Sequence, residues 1–483
     1  MALESFICML TNQDLNRIHE ASLEVLEQVG IEFLHDEALN IFKTHGAKID
    51  GSRVMIPGKL VENAIESSPA SFKLWAIDLE KSILVGEGQK HTHVEPSNGA
   101  VYAQDLKQGR RPATMQDLIV FYKLAQASSV CDIGGAFPVE PAGIDPENGY
   151  LDIFFQMLKH TDKPLKRNVN THKEIANIFD MFEITVGKKD FLMDHPSIYA
   201  SINPLSPLVY DAVPIETIIS YARLNQPSAV LSCALAGISA PMNPLGVCVQ
   251  QNAEILAGLV LCQLVQPGAP FIYCPASAVP NMQNGQYVTG SPESNIINVA
   301  NIQLARQLYH LPTRTMAGLT DAKTLDAQAG FETMQNLFEC IAGGVSIINE
   351  CLGVMDSIMT NSFEKFILDE EMISRVLRFM EGMNQSTEKL GGDLGLEVIK
   401  EIGPKGSFLY HPTTMAGCRN TWRPNVSSWD NYDKWVESGS KDVGQVAAQK
   451  VEQILEASPE SMLDPDIELE LENFINKKTA RIN

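Results

Sequence analysis

The sequence predicts an α/β protein: a (β/α)8 barrel with an N-terminal helical extension and a C-terminal helix. Three observations carry this reading. From about residue 115, short apolar runs alternate with helix-length segments, and eight such runs can be counted. The length of 483 residues fits one barrel with extensions. The competing architecture, a doubly wound open sheet, lacks its nucleotide fingerprint, because no G-x-G-x-x-G follows an early strand.

The elements follow in order. Thr11, Asn12 or Asp14 can cap a helix whose apolar residues Leu15, Ile18, Leu23, Leu26 and Val29 recur at helical spacing, and Gly30 stops it. A second helix spans 36–45, ended by Gly46, and a third spans 57–67 with a proline in its first turn. Residues 72–77 and 82–86 read as antiparallel strands joined through 78–81, completing a lead-in over 1–114. The barrel, assigned to 115–457, takes its strands at 131–138, 164–169, 197–202, 229–236, 271–276, 313–317, 345–349 and, weakly, 408–410. Its helices fall at 147–160, 171–186, 215–224, 252–265, 294–309, 326–342 and 364–389. Residues 458–483 form an acidic tail and helix; 452–472 hold eight carboxylates and no Lys or Arg, the composition of a solvated face.

Composition narrows the function. With 45% hydrophobic residues the chain can bury a sizeable core. Its 37 basic against 59 acidic residues, a formal charge of −22, repel phosphate backbones and anionic membranes, so neither nucleic acid nor lipid is an expected partner. The most apolar run, 255–265, is short, carries Gln263 and follows Glu254, and reads as a buried helix. The opening MALESFICML has no basic n-region and is not expected to be a secretory signal. Nine scattered cysteines, none at two-residue spacing, read as small core residues in a reducing cytoplasm. A symmetric homo-oligomer is the base-rate expectation.

Chemistry in a barrel belongs on loops leaving the C-terminal strand ends. Those ends offer Arg167 to Asn170, Gly318 to Asp321, Asn349 to Cys351, and Tyr410 with His411. Glu350 there could balance a cationic substrate or pair with Lys323 or Arg314. Asp321 could order a loop, meet substrate or cap the next helix. His91 and His93, with Glu95 nearby, form an H-x-H pattern; the ordinary reading is a hydrogen-bonded loop histidine, and no metal is expected. Aromatics at loops and strand ends, among them Tyr199, Tyr287 and Tyr410, could cage a quaternary ammonium by cation–π attraction.

Long runs then carry a resemblance. QQNAEILAGLVLCQLVQPGAPFIYCPAS (250–277), TGSPESNIINVANIQLARQLYHLPTR (289–314) and AGLTDAKTLDAQAGFETMQN (317–336) resemble the trimethylamine methyltransferase family. PSNGAVYAQDLKQGRRPATMQDL (96–118) and LYHPTTMAGCRNTWRP (409–424) extend the likeness over nearly the whole chain. The resemblance implies a TIM barrel that moves a methyl group from an amine to the cobalt of a partner corrinoid protein, with no cofactor tightly bound. Trimethylamine members carry pyrrolysine late in the barrel; in the matching stretch IINECLGVMDS (347–357), Cys351 or its immediate neighbour stands at that position. This departure resembles the non-pyrrolysine branch, which demethylates quaternary amines such as glycine betaine, proline betaine, carnitine and γ-butyrobetaine. The alternatives are a non-catalytic betaine-binding homologue and demethylation of trimethylamine. On this basis His93, Asn349, Glu350 and His411 are expected around the ligand, with Tyr102, Tyr199 and Tyr410 in the cage. Arg314, then Arg167, is expected to meet a substrate carboxylate, and no residue is catalytic beyond positioning.

Overall fold

A computed structural model describes residues 7–382, 394–419 and 421–479. The lead-in helix Asn12–Glu24 is capped by Thr11 in a reciprocal capping box with Asp14, and continues through a wider turn, Val25–Val29. Gly30 then turns with φ 79°, and a Cβ there would fall 2.8 Å from the Val54 carbonyl oxygen. Helices Asp36–Thr44 and Gly58–Ser67 stand where their spacing placed them. The strands Ile31–Phe33, before the first of these helices, and Lys48–Asp50 and Arg53–Met55, between the two, are too short for a period to show and form a small antiparallel set. The expected hairpin is present as Ser71–Leu74 paired with Ile83–Gly86.

The central strands are parallel. Leu165–Arg167 pairs with Ile198–Ile202, that strand with Ser228–Ser232, and that in turn with Phe271–Pro275. Tyr273 bridges to Thr313, and the neighbouring Arg314–Met316 pairs with Ile347–Cys351. Ile347–Cys351 then pairs with His93–Pro96. The amides of Asp132 and Ile133 donate to the Val94 carbonyl, and Gly135 bridges to Leu165. Helices lie between successive strands, so the architecture is α/β.

Two of the expected strands differ: run 131–138 becomes a strand only at Phe137–Val139, which pairs with Asn98–Ala100. Residues 408–410 form no strand; Phe408, Leu409 and Tyr410 are exposed, with Tyr410 86% accessible. The strand that joins the parallel set is His93–Pro96, inside the span read as lead-in. Its four residues are all buried, yet it holds a histidine and a glutamate and therefore does not read as an apolar run.

Side chains alternate about these strands with period two. Tyr199, Ala229, Leu231, Ile272, Cys274, Met316 and Ile347 share one apolar cluster, into which the hairpin inserts Phe72, Leu74 and Val85. The hairpin docks at the strands' N-terminal ends, where the amides of Trp75 and Asp78 donate to the carbonyls of Pro196 and Asp162. The other faces pack against helices.

The helix containing run 255–265 starts earlier than expected, at Pro244, because Asn243 caps it and Pro244 suits its first turn. At 22 residues it is long and apolar enough to cross a membrane, but 78% of its apolar window is buried within the fold. Six of the nine cysteines are buried, whereas Cys8 and Cys418 are exposed and Cys233 is half-buried. Residues 383–389 of the expected helix 364–389 lie outside the described residues; Phe363–Met380 forms as expected.

The acidic C-terminal stretch is partly docked rather than wholly solvated. Helix Pro465–Thr479 packs on Gly149–His160 and His172–Val186, burying Leu471 and Ile475, while Lys159 pairs with Glu468. Leu471→Ala should therefore cost about 2–5 kcal/mol if the helix unfolds with the rest. A lowered urea midpoint would show that outcome. Accelerated amide exchange confined to 465–479 would instead show the helix detaching alone.

Candidate active site

The interior face of the parallel strands carries an ion pair. Arg314 Nε donates to Glu95 Oε2 at 3.0 Å and Nη2 to Oε1 at 2.9 Å, with both side chains at most 1% accessible. The Tyr199 hydroxyl also bonds Glu95. Arg314 Nη1 lies 3.4 Å from Ser201 Oγ. With its amide turned to satisfy both neighbours, Asn349 donates to the Thr315 carbonyl at 2.9 Å and accepts from Arg314 Nη2 at 3.1 Å. Burial opposes the guanidinium charge, but Glu95 outweighs it and raises the Arg314 pKa. A bidentate geometry of this kind is what allows two charges to leave water together.

A second charged pair sits beside it. Lys166 Nζ donates to the side-chain oxygens of Asn98 and Asn168, the latter at 2.7 Å. Glu350 Oε2 accepts from the Asn98 amide at 2.7 Å, so Asn98 joins the two. Burial pushes the Glu350 carboxyl up, with Lys166 and Arg314 pulling it back, and pushes the Lys166 ammonium down against the pull of Glu95. Both groups are thereby brought toward the neutral range, where a proton moves easily.

Glu350 occupies a strained turn. The pairing of Ile347–Cys351 with His93–Pro96 shifts register between Ile348 and Cys351, and Glu350 has φ 57°. Leu352, Asp356, Ser357 and Ile358 also have positive φ, which for Ile358, with its β-branched side chain, is sterically costly. Each such residue costs on the order of 1–3 kcal/mol and persists only where its surroundings enforce it. Here they do. The Cys351 thiol donates to the Glu95 carbonyl at 2.9 Å, the Gly353 amide to Asp369 at 2.7 Å, and the Ser357 hydroxyl to Asp321 at 2.6 Å. Gly318, with φ 80°, lies so close that a Cβ would fall 2.6 Å from Cys351 Cβ.

The structure brings together some of the expected residues and separates others. Tyr199, Arg314, Asn349, Glu350 and Cys351 lie in or beside the charged cluster. Arg314 faces Glu95 rather than open space, so its fork is already engaged. Arg167 alternates with Lys166 onto the opposite face, its guanidinium 5.3 Å from the Phe154 ring centre. His93 sits at the N-terminal end of its strand, where Nε2 donates to the Leu84 carbonyl at 2.8 Å, away from Glu350. Tyr102 belongs to a separate small sheet, its ring covered by the Arg110 guanidinium at 3.5 Å. Tyr410 points to solvent, and His411 caps the short helix Pro412–Gly417. Asp321 orders loops, accepting from Thr289, Gly290 and Ser357, while Asp326 caps the following helix.

Sequence reasoning passed over Glu95, Asn98 and Lys166 as members of this cluster. Two signals were available: Lys166 interrupts an apolar strand, and Glu95 shares a strand face with His93 at period two.

The family model described as trimethylamine methyltransferase (MTTB) matches residues 4–483, and the chain belongs to that family. It is therefore a methyltransferase. The glycine betaine methyltransferase of Desulfitobacterium hafniense (strain Y51) is 33% identical over 475 residues, covering 98% of each chain. The proline betaine:corrinoid methyltransferase of Eubacterium limosum is 31% identical and covers 86% of this chain and 85% of its own. A trimethylamine methyltransferase of Methanosarcina thermophila is 30% identical, covering 95% of each. Among solved structures, the Methanosarcina barkeri monomethylamine methyltransferase covers 93% of this chain and 96% of its own at 12% identity, with a TM-score of 0.45.

Removing one member of the buried pair leaves the other charged and unpaired. Arg314→Met should destabilise the protein by about 3–5 kcal/mol, seen as a lowered urea midpoint. Adding Glu95→Gln should restore part of the loss, because no bare charge then remains.

Proposed function

We propose that the chain transfers a methyl group from a quaternary amine to the Co(I) corrinoid of a partner protein, releasing a tertiary amine. The observation that carries this reading is the state of Cys351, at the place where the family resemblance puts pyrrolysine. Its thiol is fully buried, donates to the Glu95 carbonyl, and is held well above its usual pKa by burial. A group in that state offers neither a nucleophile nor an electrophile to an amine. Such a site suits a donor already activated by its own positive charge.

In the transfer, the N–CH3 bond breaks with both electrons passing to nitrogen, and the cobalt pair forms the new Co–C bond. The amine leaves neutral, so no proton is needed. The protein's task is to hold one N–CH3 bond in line and keep water away. Glu350 is placed to balance the cation, and Lys166 takes the carboxylate-binding role first expected of Arg314, whose fork Glu95 occupies. Tyr287, half-buried and with its hydroxyl bonded to the Ala276 carbonyl, is a further cage candidate.

We read the parallel strands as a (β/α)8 barrel with this cluster toward its C-terminal mouth. The run of pairings from Leu165–Arg167 round to His93–Pro96, with the Val94 and Gly135 contacts, supports that reading.

Two outcomes are expected. In a corrinoid methylation assay with a Co(I)-loaded partner, at least one of glycine betaine, proline betaine, carnitine or γ-butyrobetaine should form methyl-Co(III), read by absorbance. Choline, which lacks a carboxylate, and trimethylamine should be poor donors; efficient turnover of trimethylamine would overturn the reading. With the preferred donor, kcat/KM should rise with pH through neutrality as Glu350 ionises. It should fall again below the ordinary lysine range as Lys166 loses its proton. Glu350→Gln should remove the acid limb and Lys166→Met the alkaline one.

A further inference from the structure

We propose that His91, His93 and Asp132 form a binding site for one divalent transition-metal ion of the zinc class, at the N-terminal ends of the parallel strands. This is the opposite end from Glu350, and the methyl transfer proposed above makes no use of it. One ligand atom from each of the three residues lies within 4.8 Å of the other two. The H-x-H pattern thus acquires a third member, Asp132, while Glu95, the carboxylate nearest in sequence, is committed to Arg314.

The hydrogen bonding points to a cation. His93 donates from Nε2 to the Leu84 carbonyl at 2.8 Å, which places its proton on Nε2. Nδ1 is left as a lone pair; the residue is 4% accessible and Nδ1 has no hydrogen-bond partner. That lone pair faces Asp132 Oδ2 at 3.5 Å, an oxygen that already accepts from the Val94 amide at 3.0 Å. His91 Nε2 stands 3.4 Å from Asp132 Oδ1, and the two imidazoles meet edge to face with centroids 5.0 Å apart.

A charged His93 bonded to Asp132 is the ordinary alternative. Charge-assisted N–H···O contacts are about 2.7–2.9 Å long, well inside the separation here. By contrast, metal–ligand bonds of about 2.0–2.2 Å in a tetrahedron place neighbouring ligand atoms roughly 3.3–3.5 Å apart. The two histidine-to-carboxylate separations, 3.5 and 3.4 Å to different oxygens of Asp132, fall near that edge. The Leu84 carbonyl supplies the outer partner that fixes the tautomer of a metal-ligating histidine. A cleft of about 700 Å³, lined by His91 with Gln89, Thr92 and His310, reaches the half-exposed His91 edge of the cluster. Two imidazoles and one carboxylate favour zinc over the hard cations, which prefer all-oxygen shells. The ion would tie the hairpin, through Leu84, to the strand His93–Pro96 and to the segment entering at Asp132.

The test is metal content and uptake by the full-length protein. After chelator treatment, wild type should take up one equivalent of Zn2+ with a raised melting temperature, and Co2+ should give the visible bands of a tetrahedral site. His91→Ala, whose side chain is half exposed, should keep the fold by circular dichroism yet weaken uptake by at least about 100-fold, beyond what outer-shell losses alone produce. Asp132→Asn should do the same, and His45→Ala, an exposed histidine elsewhere, should change nothing. Absence of saturable uptake by wild type would overturn the proposal, as would equal uptake by folded His91→Ala.

Discussion

The buried contact between Arg314 and Glu95 is the constraint around which the interior is arranged. Two full charges at 1% accessibility or less can be held only if nearly every polar atom on them is engaged. That requirement recruits Tyr199 and Ser201 from one strand and Asn349 from another. It reaches Cys351 as well, because the backbone carbonyl of Glu95 accepts the thiol. An all-apolar interior of equal volume would be at least as stable. What the ion pair provides is position: it fixes the faces of four strands relative to one another, and so the place from which Glu350 departs.

The strained turn follows from the same anchor. A strand continuing past Asn349 in regular geometry would alternate Glu350 to the helix-facing side. The register shift and the left-handed φ bring it back toward Asn98 and Lys166. The cost of that turn is met by contacts on both sides, with Asp321 and Asp369 holding the segment by hydrogen bonds. The packing of Gly318 against Cys351 leaves no slack. Stability elsewhere, in the apolar helix Pro244–Val265 and the hairpin-capped cluster, lets this region depart from local preference.

Much of the framework was legible in the sequence because it rests on apolar periodicity. Six parallel strands coincide with apolar runs, and the cap Thr11 sits where side-chain chemistry dictates. The strand His93–Pro96 was hidden for a physical reason: it turns charged and polar groups inward, so burial and apolarity part company there. Residues 408–410 show the converse, an apolar triplet that the fold leaves exposed. The site was legible in type more than in partnership. Arg314, Asn349, Glu350 and Tyr199 could be nominated from strand-end position and family likeness. That Glu95 engages the Arg314 fork depends on contacts between residues 219 positions apart. The same holds for Lys166, which only the alternation of a three-residue strand separates from Arg167.

Buried charge also bears on the substrate proposed above. Arg314 and Lys166 against Glu95 and Glu350 sum to zero when all four are ionised, and burial brings the second pair toward the neutral range. A bare cation entering such a site would ionise Glu350 and leave Lys166 without a counter-charge. A bare carboxylate would do the reverse. A zwitterion whose cationic and anionic ends reach Glu350 and Lys166 together stabilises the ionised form of both groups at once, with no net change in buried charge. In the function proposed above that zwitterion is a betaine, and the pairing rests on Asn98, which contacts both residues, rather than on either one alone.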